Sequence, residues 1–248
     1  MESGLLTRRS AASRTDLAQH IEDILASALA ELPEVNRGII PGRDAFVYRT
    51  AKRALDISIS VLALLLAGPI MAAIAIAIKI ESKGPVFFGH IRLGKHGEFF
   101  RCLKFRSMRP GAQEDLFSDP NLRQRYVDND YKLPLDEDPR VTRLGRFLRR
   151  SSLDELPQLF NVLAGTMSLV GPRPIVREEL DWYGADAPRF LSVKPGITGV
   201  WQIQGRSRIS YPDRTQVELD AIEDRGFWRD LKVLALSIPV VVTARGSL

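Results

Sequence analysis

The sequence predicts a helix-rich α+β fold attached to a membrane by one broken helix. Three observations predict this fold class. Residues 57–78 form an uncharged, apolar run. Apolar and alternating segments on either side of a glycine-rich turn, within residues 86–105, indicate a short hairpin. Helical periodicity dominates later parts of the chain, above all residues 140–164 and 217–236.

An N-terminal arm precedes the apolar run. Residues 17–32 keep apolar side chains at helical spacing, which predicts an amphipathic helix with Thr15 as its cap and Pro33 as its stop. The polar side of this helix is acidic, so packing on protein is favoured over docking on an anionic leaflet. Glycines and prolines then indicate a linker. The sequence is therefore divided into an arm at 1–45, a re-entrant membrane helix at 46–83 and a domain with interfacial helices at 84–248.

The apolar run is long enough to cross a bilayer. As a straight helix its 22 residues would reach about 33 Å, against about 30 Å of hydrocarbon. Pro69 removes a backbone donor and crowds the carbonyl of Leu65, so a kink is expected there. Basic residues lie before the run, at Arg53, and after it, at Lys79, which favours both ends on the cytoplasmic side. A re-entrant helix satisfies both features. A kinked span ranks second, and the length disfavours a buried core helix.

The second half of the hairpin carries cations in the motif KFR. Lys104 and Arg106 lie two residues apart, so an extended segment would direct both side chains to one side. Residues 89–96 are rich in glycine, but a histidine stands where a P-loop needs Ser or Thr, and they are interpreted as the hairpin turn. The basic strand face is either solvated surface or part of an anion site.

An arginine-rich segment leads into the acidic pair Asp154 and Glu155. Five arginines recur near helical spacing within residues 140–150, with apolar side chains between them, which predicts a helix that is cationic on one side. A second helix is expected to follow Asp154 and to end at Gly165, in the position where helices favour glycine.

Two residues compete as the N-cap of this second helix. Ser152 with Glu155 matches a capping box, but Pro157 would then fall at the fifth helical position, where its missing N–H costs a hydrogen bond. With Asp154 as the cap, Pro157 falls in the first turn, whose N–H groups have no helical partner. This second assignment is preferred. A carboxylate placed there, close to Arg149, is expected to be an anion at neutral pH.

The motif GPRP at residues 171–174 adds a further cation. Two prolines stiffen the backbone around Arg173, and a fixed guanidinium suits a phosphate. A purely structural alternative exists for this region. In it, Asp154 is only an N-cap, Glu155 is an acidic residue of the first turn, and the arginines form a solvated cationic face. Farther along, Trp201 and Gln202 either line a pocket for a base or sugar or belong only to the structural scaffold.

Composition narrows the class of partner. The formal net charge of +5 indicates anionic partners, whether lipid head groups, nucleotides or nucleic acid. The single Cys102 excludes an internal disulfide. The three histidines have no metal-site spacing and are interpreted as surface or satisfied histidines. Because the chain has no helix-turn-helix, RNP or zinc pattern, nucleic acid is disfavoured.

Several motifs of this chain occur together and in this order in one known family. The matching segments are Lys52-Arg53 with Asp56, KFRSM at 104–108, the stretch 138–174 and KPGITGVWQIQGRS at 194–207. They resemble the bacterial sugar transferases that are monotopic phosphoglycosyl transferases, over roughly residues 46–248. Several long motifs in one order make this resemblance specific. After Leu219-Asp220 the chain departs from the pattern of many exopolysaccharide members, so the sugar stays open.

The resemblance implies a small cytoplasmic catalytic domain on a helix that enters one leaflet of the bacterial inner membrane. It implies transfer of a sugar 1-phosphate from a UDP-sugar to polyprenyl (undecaprenyl) phosphate with release of UMP, which initiates exopolysaccharide or related glycan assembly. Asp154 would be the nucleophile that forms an acyl-phosphate intermediate, and Glu155 would help to hold Mg²⁺ at the diphosphate. The expected phosphate ligands are Arg149 and Arg173, with Lys104 and Arg106 as weaker candidates.

The expected partners follow from this reaction. They are a UDP-sugar, polyprenyl phosphate and membrane lipids, with a homo-oligomer as one option and no nucleic acid. The alternative, from another functional class, is a catalytically silent membrane scaffold that gathers polysaccharide-assembly proteins through its N-terminal arm. Release of UMP from UDP-sugars in the presence of Mg²⁺ and polyprenyl phosphate separates the enzyme from the scaffold.

Overall fold

The computed structural model describes residues 46–129, 133–204, 209 and 211–242. The amphipathic helix and the linker predicted for the N-terminal arm lie outside these residues. Within the described part, helices predominate and the strands form two small two-stranded sheets. This arrangement confirms the helix-rich α+β prediction.

Helix α1 is the segment Phe46–Glu81, and it contains the whole apolar run. It continues uninterrupted through Gly68 and Pro69, so the break predicted at the proline is not present in the structure. Both halves of the helix pack on the same domain, and these contacts on either side of Pro69 support the helix despite the donor that proline lacks. Among the described helices, α1 alone is long and apolar enough to cross a membrane.

One face of α1 contacts the domain along most of its length. Near its start, the carboxylate of Asp56 accepts hydrogen bonds from Ser168 Oγ at 2.8 Å and from the Leu169 N–H at 3.1 Å. Leu64 then packs on the central core, and Ile78 is buried near the C-terminal end. The opposite face exposes a row of large apolar side chains, namely Ile57, Val61, Leu62, Leu65, Leu66 and Ile70.

The predicted hairpin is confirmed. Strand β1, Phe87–Leu93, pairs antiparallel with β2, Phe99–Phe105, and a 3₁₀ turn at Lys95–Gly97 joins them. The interpretation of residues 89–96 as the turn was wrong for residues 89–93, which lie in β1, and of that stretch only Lys95 and His96 lie in the turn. The stretch leads into strand β2 and not into a helix, so it does not have the strand-loop-helix context of a P-loop. His90 pairs with Cys102 in this register. Because cross-strand partners point to the same face of a sheet, His90, Cys102 and the alternate residues beside them share one face.

The arginine-rich segment forms α4, Arg143–Arg150, which is preceded along the chain by α2 at Ala112–Ser118 and α3 at Pro120–Asp128. Helix α4 is capped by Thr142, whose Oγ1 accepts the Gly145 N–H at 2.9 Å. The apolar stripe predicted for this helix is only partly buried, since Leu148 is inaccessible whereas Phe147 is 59% exposed.

The predicted cap at Asp154 was wrong. Ser152 has a positive φ of 57°, which turns the chain into a separate 3₁₀ helix, Leu153–Glu155. Helix α5, Gln158–Ala164, begins only after Pro157 and has no side-chain cap. The carboxylate of Asp154 therefore does not cap α5. Gly165 ends this helix with a φ of 86°, as predicted.

The remaining elements include a second small sheet, which packs on α5 and α1. Strands β3, Ser168–Val170, and β4, Gly196–Thr198, pair in parallel, with Ser168 opposite Gly196. The last helix packs on β3, β4 and α1 while exposing Trp228 on its other side. The other segments are a 3₁₀ stretch at Glu178–Asp186, α6 at Ala187–Phe190, α7 at Val200–Gln204, α8 at Asp213–Glu223 and that last helix, α9, at Phe227–Val242.

Candidate active site

The position of Arg149 depends on close contact between α4 and the residue Ser107. A Cβ atom on Gly145 would lie 1.9 Å from the carbonyl oxygen of Ser107, so only glycine allows this approach. The same carbonyl accepts the Thr142 N–H at 3.1 Å. At the other end of the helix, Arg149 Nε donates to Ser107 Oγ at 2.8 Å. Ser107 thus fixes the helix and the guanidinium together.

The start of α4 is held by a buried ion pair that the sequence reasoning missed. Arg140 donates from Nε and Nη2 to the two carboxylate oxygens of Asp138, each at 2.8 Å, and both residues are almost inaccessible. Burial opposes ionisation of Asp138, but hydrogen bonds from Arg140 lower its pKa overall. Arg140 therefore belongs to the interior and not to the solvated cationic face that its spacing predicted.

The acidic pair and two of the predicted cations come together at the start of α5. Asp154 is only 6% exposed. Its charged neighbours are Lys104, Glu155 and Arg149. Lys104 Nζ donates to Glu155 Oε1 at 2.6 Å, which ties strand β2 to the 3₁₀ helix. A buried carboxylate flanked by a lysine and an arginine can act as a nucleophile toward an electrophile that those cations hold.

Burial sets the charge state of this site. The pKa of Asp154 is raised to about 6, mainly by burial and in part by Glu155, while Lys104 and Arg149 oppose the rise. The predicted anion at neutral pH is retained, but with a smaller margin than the sequence indicated. Burial alone would lower the pKa of Lys104, yet the carboxylates of Glu155 and Asp154 raise it, so this lysine stays cationic.

Arg173 lies in a second charged cluster, with Arg92 and Glu179. Arg92 Nη1 donates to Glu179 Oε2 at 3.1 Å. Burial opposes ionisation of Glu179, but Arg173 and Arg92 lower its pKa overall. His90 lies between the two clusters, and burial, with Arg92 and Lys104 nearby, lowers its pKa to about 4. It is therefore neutral at physiological pH.

The GPRP loop is held by Glu218, which is 2% exposed. Glu218 Oε1 accepts the Arg173 N–H at 3.2 Å, and Tyr183 donates its hydroxyl to Oε2. Arg214 pairs with the same carboxylate at 3.2 Å and lies 4.1 Å from the centre of the Trp201 ring. These contacts link α8 to the loop and orient its arginine. The sequence signals for Glu218 were weak, because only Arg214 is near it along the chain, whereas Arg173 and Tyr183 are distant.

Arg106 is placed elsewhere. Its guanidinium donates to the Lys83 carbonyl at 2.7 Å and to the Ser82 carbonyl at 2.8 Å, so it satisfies carbonyl groups that follow the end of α1. The alternation rule failed here because β2 ends at Phe105. The structure brings Lys104 and Arg149 to the acidic pair, and Arg106 is not among the charged groups that act on Asp154.

The residues present suit one kind of magnesium site. Among the residues that the structure describes, no three acidic, histidine or cysteine side chains form a metal-binding group. Mg²⁺ is commonly held by one or two carboxylates together with water and the phosphates of a substrate. The carboxylate of Glu155, next to Asp154 in the chain, fits that incomplete set, and it does not fit a cage made by the protein alone.

Comparison with known proteins identifies relatives across most of the chain. Residues 47–244 match the bacterial sugar transferase family. The chain is 43% identical over 203 residues to the undecaprenyl-phosphate galactose phosphotransferase of Salmonella typhimurium, a match that covers 80% of this chain and 42% of that protein. It is 37% identical over 227 residues to the UDP-glucose:undecaprenyl-phosphate glucose-1-phosphate transferase of Escherichia coli, which covers 87% of this chain and 46% of that protein.

The chain thus spans less than half the length of these two relatives. A shorter relative is matched almost throughout. The exopolysaccharide production protein ExoY of Sinorhizobium fredii is 40% identical over 201 residues, which covers 79% of this chain and 88% of that protein. On the strength of the family match over residues 47–244 and of these relatives, the chain belongs to the bacterial sugar transferase family.

Proposed function

We propose that this protein transfers a sugar 1-phosphate from a UDP-sugar to undecaprenyl phosphate, releases UMP, and so initiates assembly of an exopolysaccharide or a related glycan. The observation that carries the proposal is the buried carboxylate of Asp154 between Lys104 and Arg149. The lipid acceptor is the one in the names of two relatives, and the name of one of them also gives a UDP-sugar as donor.

The reaction needs two displacements at one phosphorus atom. In the first, an Asp154 oxygen forms a bond to the phosphorus that carries the sugar, and the bond from that phosphorus to the oxygen of UMP breaks. In the second, an oxygen of the lipid phosphate attacks the same phosphorus, and the bond to Asp154 breaks. The carboxylate is regenerated, and the sugar phosphate is now joined to the lipid through a diphosphate.

The cations have separate tasks in this scheme. Lys104 and Arg149 neutralise the phosphoryl oxygens, which lets one anion approach another. Arg173, held by Glu218, is suited to the more distant phosphate of the donor. Glu155, together with phosphate oxygens, would hold Mg²⁺, and the ion would stabilise the charge on departing UMP. The contacts of Arg106 favour a structural role at the end of α1 over its predicted phosphate role.

The packing of α1 supports a monotopic position at the cytoplasmic face of the inner membrane. If α1 crossed the bilayer, much of its length would lie in the membrane, away from a domain at the surface. Instead, α1 contacts the domain from Asp56 to Ile78. Its outer face is apolar, and exposed aromatic side chains suited to a membrane interface lie on neighbouring elements. These aromatic residues are Phe87, Phe88, Phe147 and Phe160. We infer that α1 lies along one leaflet as an unbroken helix, with its apolar outer face toward the lipid, and that both of its ends remain on the cytoplasmic side.

Incubation with donor alone tests the covalent step. Detergent-solubilised protein is mixed with Mg²⁺ and each of several UDP-sugars, without lipid acceptor, and digested with trypsin. The expected result is one equivalent of UMP and a phosphosugar adduct on the peptide of residues 151–177, which contains Asp154. The adduct is lost in Asp154→Asn and retained in Asp136→Asn, whose side chain is 69% exposed. Product formation with acceptor, but no adduct at any time, would refute the covalent route.

A further inference from the structure

A cavity of about 400 Å³ lies on the side of α5 away from the acidic pair. Arg53, in its wall, donates to the carbonyls of Val162 and Leu163 at the C-terminal end of α5, whereas Asp154 precedes the N-terminal end of that helix. The seven residues of α5 separate the two regions by about 10 Å. The cavity wall includes none of Lys104, Arg149, Asp154 and Glu155.

Basic side chains predominate around this cavity. Among the described residues in its wall, seven are lysine or arginine and three are aspartate or glutamate. A concave wall with an excess of one charge favours a ligand of the opposite charge. The basic residues are Arg49, Lys52, Arg53, Lys95, Lys194, Arg225 and Arg229, and the acidic ones are Asp56, Glu218 and Asp230.

The acidic residues already have partners within the fold. Asp230 lies 2.8 Å from Lys52, and Asp56 accepts hydrogen bonds from β3. Glu218 binds Arg214 and the GPRP loop. These contacts leave Lys194 and Lys95 without an ion pair among the residues that the structure describes.

The surroundings of Lys194 disfavour the positive charge of its ammonium group. Burial lowers the pKa of its ammonium group, and the positive charges of Arg53, Lys95 and Lys52 lower it further, with only Asp56 opposing them. An anion in the cavity would relieve this repulsion and would replace the water that Lys194 loses on burial.

The cavity also offers a hydrogen-bond acceptor. Gln202 lines it, and its side-chain Oε1 is buried without a hydrogen-bond partner among the described residues, although Nε2 donates to the Ile197 carbonyl at 3.2 Å. A buried acceptor with no donor is costly. A ligand that carries a hydroxyl or an N–H group beside its anionic group would satisfy it. The sequence had placed Gln202 either in a ligand pocket or in the scaffold, and its position favours the pocket.

We propose that this cavity is a second anion site, which binds the phosphate group of a phosphate ester through Lys194 and Lys95. A volume of about 400 Å³ is within the range of small-molecule pockets. The phosphate belongs either to a soluble ester or to the head group of a membrane phospholipid, which has the same chemistry. The site lies apart from the proposed nucleophile, because α5 separates the two, although Gly171, Pro172 and Glu218 at the GPRP loop form part of its wall. Binding there goes beyond the transfer reaction, since neither lysine is assigned a part in it.

Fluorescence of Trp201, which lines the cavity, can report binding there. The chain has three tryptophans, and replacing the two exposed ones, Trp182→Phe and Trp228→Phe, leaves Trp201 as the single emitter. The first probe is glycerol 3-phosphate added to the protein in a detergent that contains no phosphate. The second probe is phosphatidylglycerol in a nanodisc, without the soluble ester.

At least one probe is expected to give a saturable change in emission, and which probe does so identifies the source of the phosphate. Lys194→Met and Lys95→Met should each weaken that response at least tenfold. Lys232→Met, an exposed lysine outside the cavity, should leave it unchanged. Arg149→Ala should also leave it unchanged, because that residue belongs to the other site.

Three results would each overturn the proposal. They are no saturable change with either probe, equal affinity in both cavity variants while their circular dichroism shows intact folding, and loss of the response in Arg149→Ala. The last result would assign the binding to the region of Asp154. Failure of UMP release alone would leave the anion site standing, so the two proposals fail separately.

Discussion

Replacing Asp154 with asparagine should abolish transfer and make the protein more stable. The folded protein raises the pKa of this carboxyl from its ordinary value of 3.8 to about 6. The ionised form therefore costs folding free energy at every pH above both values, because burial penalises the charge more than Lys104 and Arg149 favour it. Asparagine has nearly the same shape and carries no charge, so it removes this cost.

The size of the effect follows from the pKa difference. A rise from 3.8 to about 6 is about two pKa units, and each unit corresponds to about 1.4 kcal/mol, so the cost at neutral pH is about 3 kcal/mol. For a chain of this size about 1 kcal/mol shifts the unfolding midpoint by about 2–4 °C, so Asp154→Asn should gain up to roughly 6–12 °C. The gain should shrink as the pH falls through 6 and disappear below about 4.

Thermal unfolding of the detergent-solubilised protein at pH 4, 5, 6 and 8 measures this gain. Asp136→Asn is the matched control, because its side chain is 69% exposed and should change the midpoint little. If Asp154→Asn were less stable than the parent at pH 8, or if its gain did not depend on pH, then Asp154 would not be held at an energetic cost. Ionised Asp154 would then not lower the stability of the folded protein.

Two further substitutions test the supports of α4. Gly145→Ala should destabilise the protein by about 1–3 kcal/mol, because its Cβ would lie 1.9 Å from the Ser107 carbonyl oxygen, and chemical denaturation should show this loss. Gly226→Ala is its control, since a Cβ there meets no atom within 4 Å. Asp138→Ala should cost about 3–5 kcal/mol in the same assay, because Arg140 would stay buried without its partner; a loss below about 1 kcal/mol would contradict this.

Local signals in the sequence predicted the local features well. The hairpin depends on alternation and on a turn containing glycines, and both are visible in a short segment. Gly165 ends α5 because a residue with positive φ is needed there, and glycine adopts it without steric cost. The acidic pair and two of its cations were identified because they belong to continuous motifs. The family was likewise recognisable from those motifs.

The failures have physical causes that a local pattern does not show. Nothing in the residues around Ser152 indicates its positive φ, and that turn removes Asp154 from the cap of α5. The lysine and arginine of KFR were expected on one side, but the strand ends between them. Contact between Arg92 and Glu179 depends on packing of distant segments, so the second charged cluster appears only in the folded chain.

The packing of α1 has a practical consequence for anyone who wants a water-soluble form of this enzyme family member. Helix α1, the proposed membrane anchor, supplies Met71, Ile74 and Ile78 to the same interior that holds Phe105 and Leu148. Removing the residues up to Glu81 would therefore also remove these side chains from the core of the domain. Solubility has to come from polar substitutions on the outward row of α1, with the inward row left untouched.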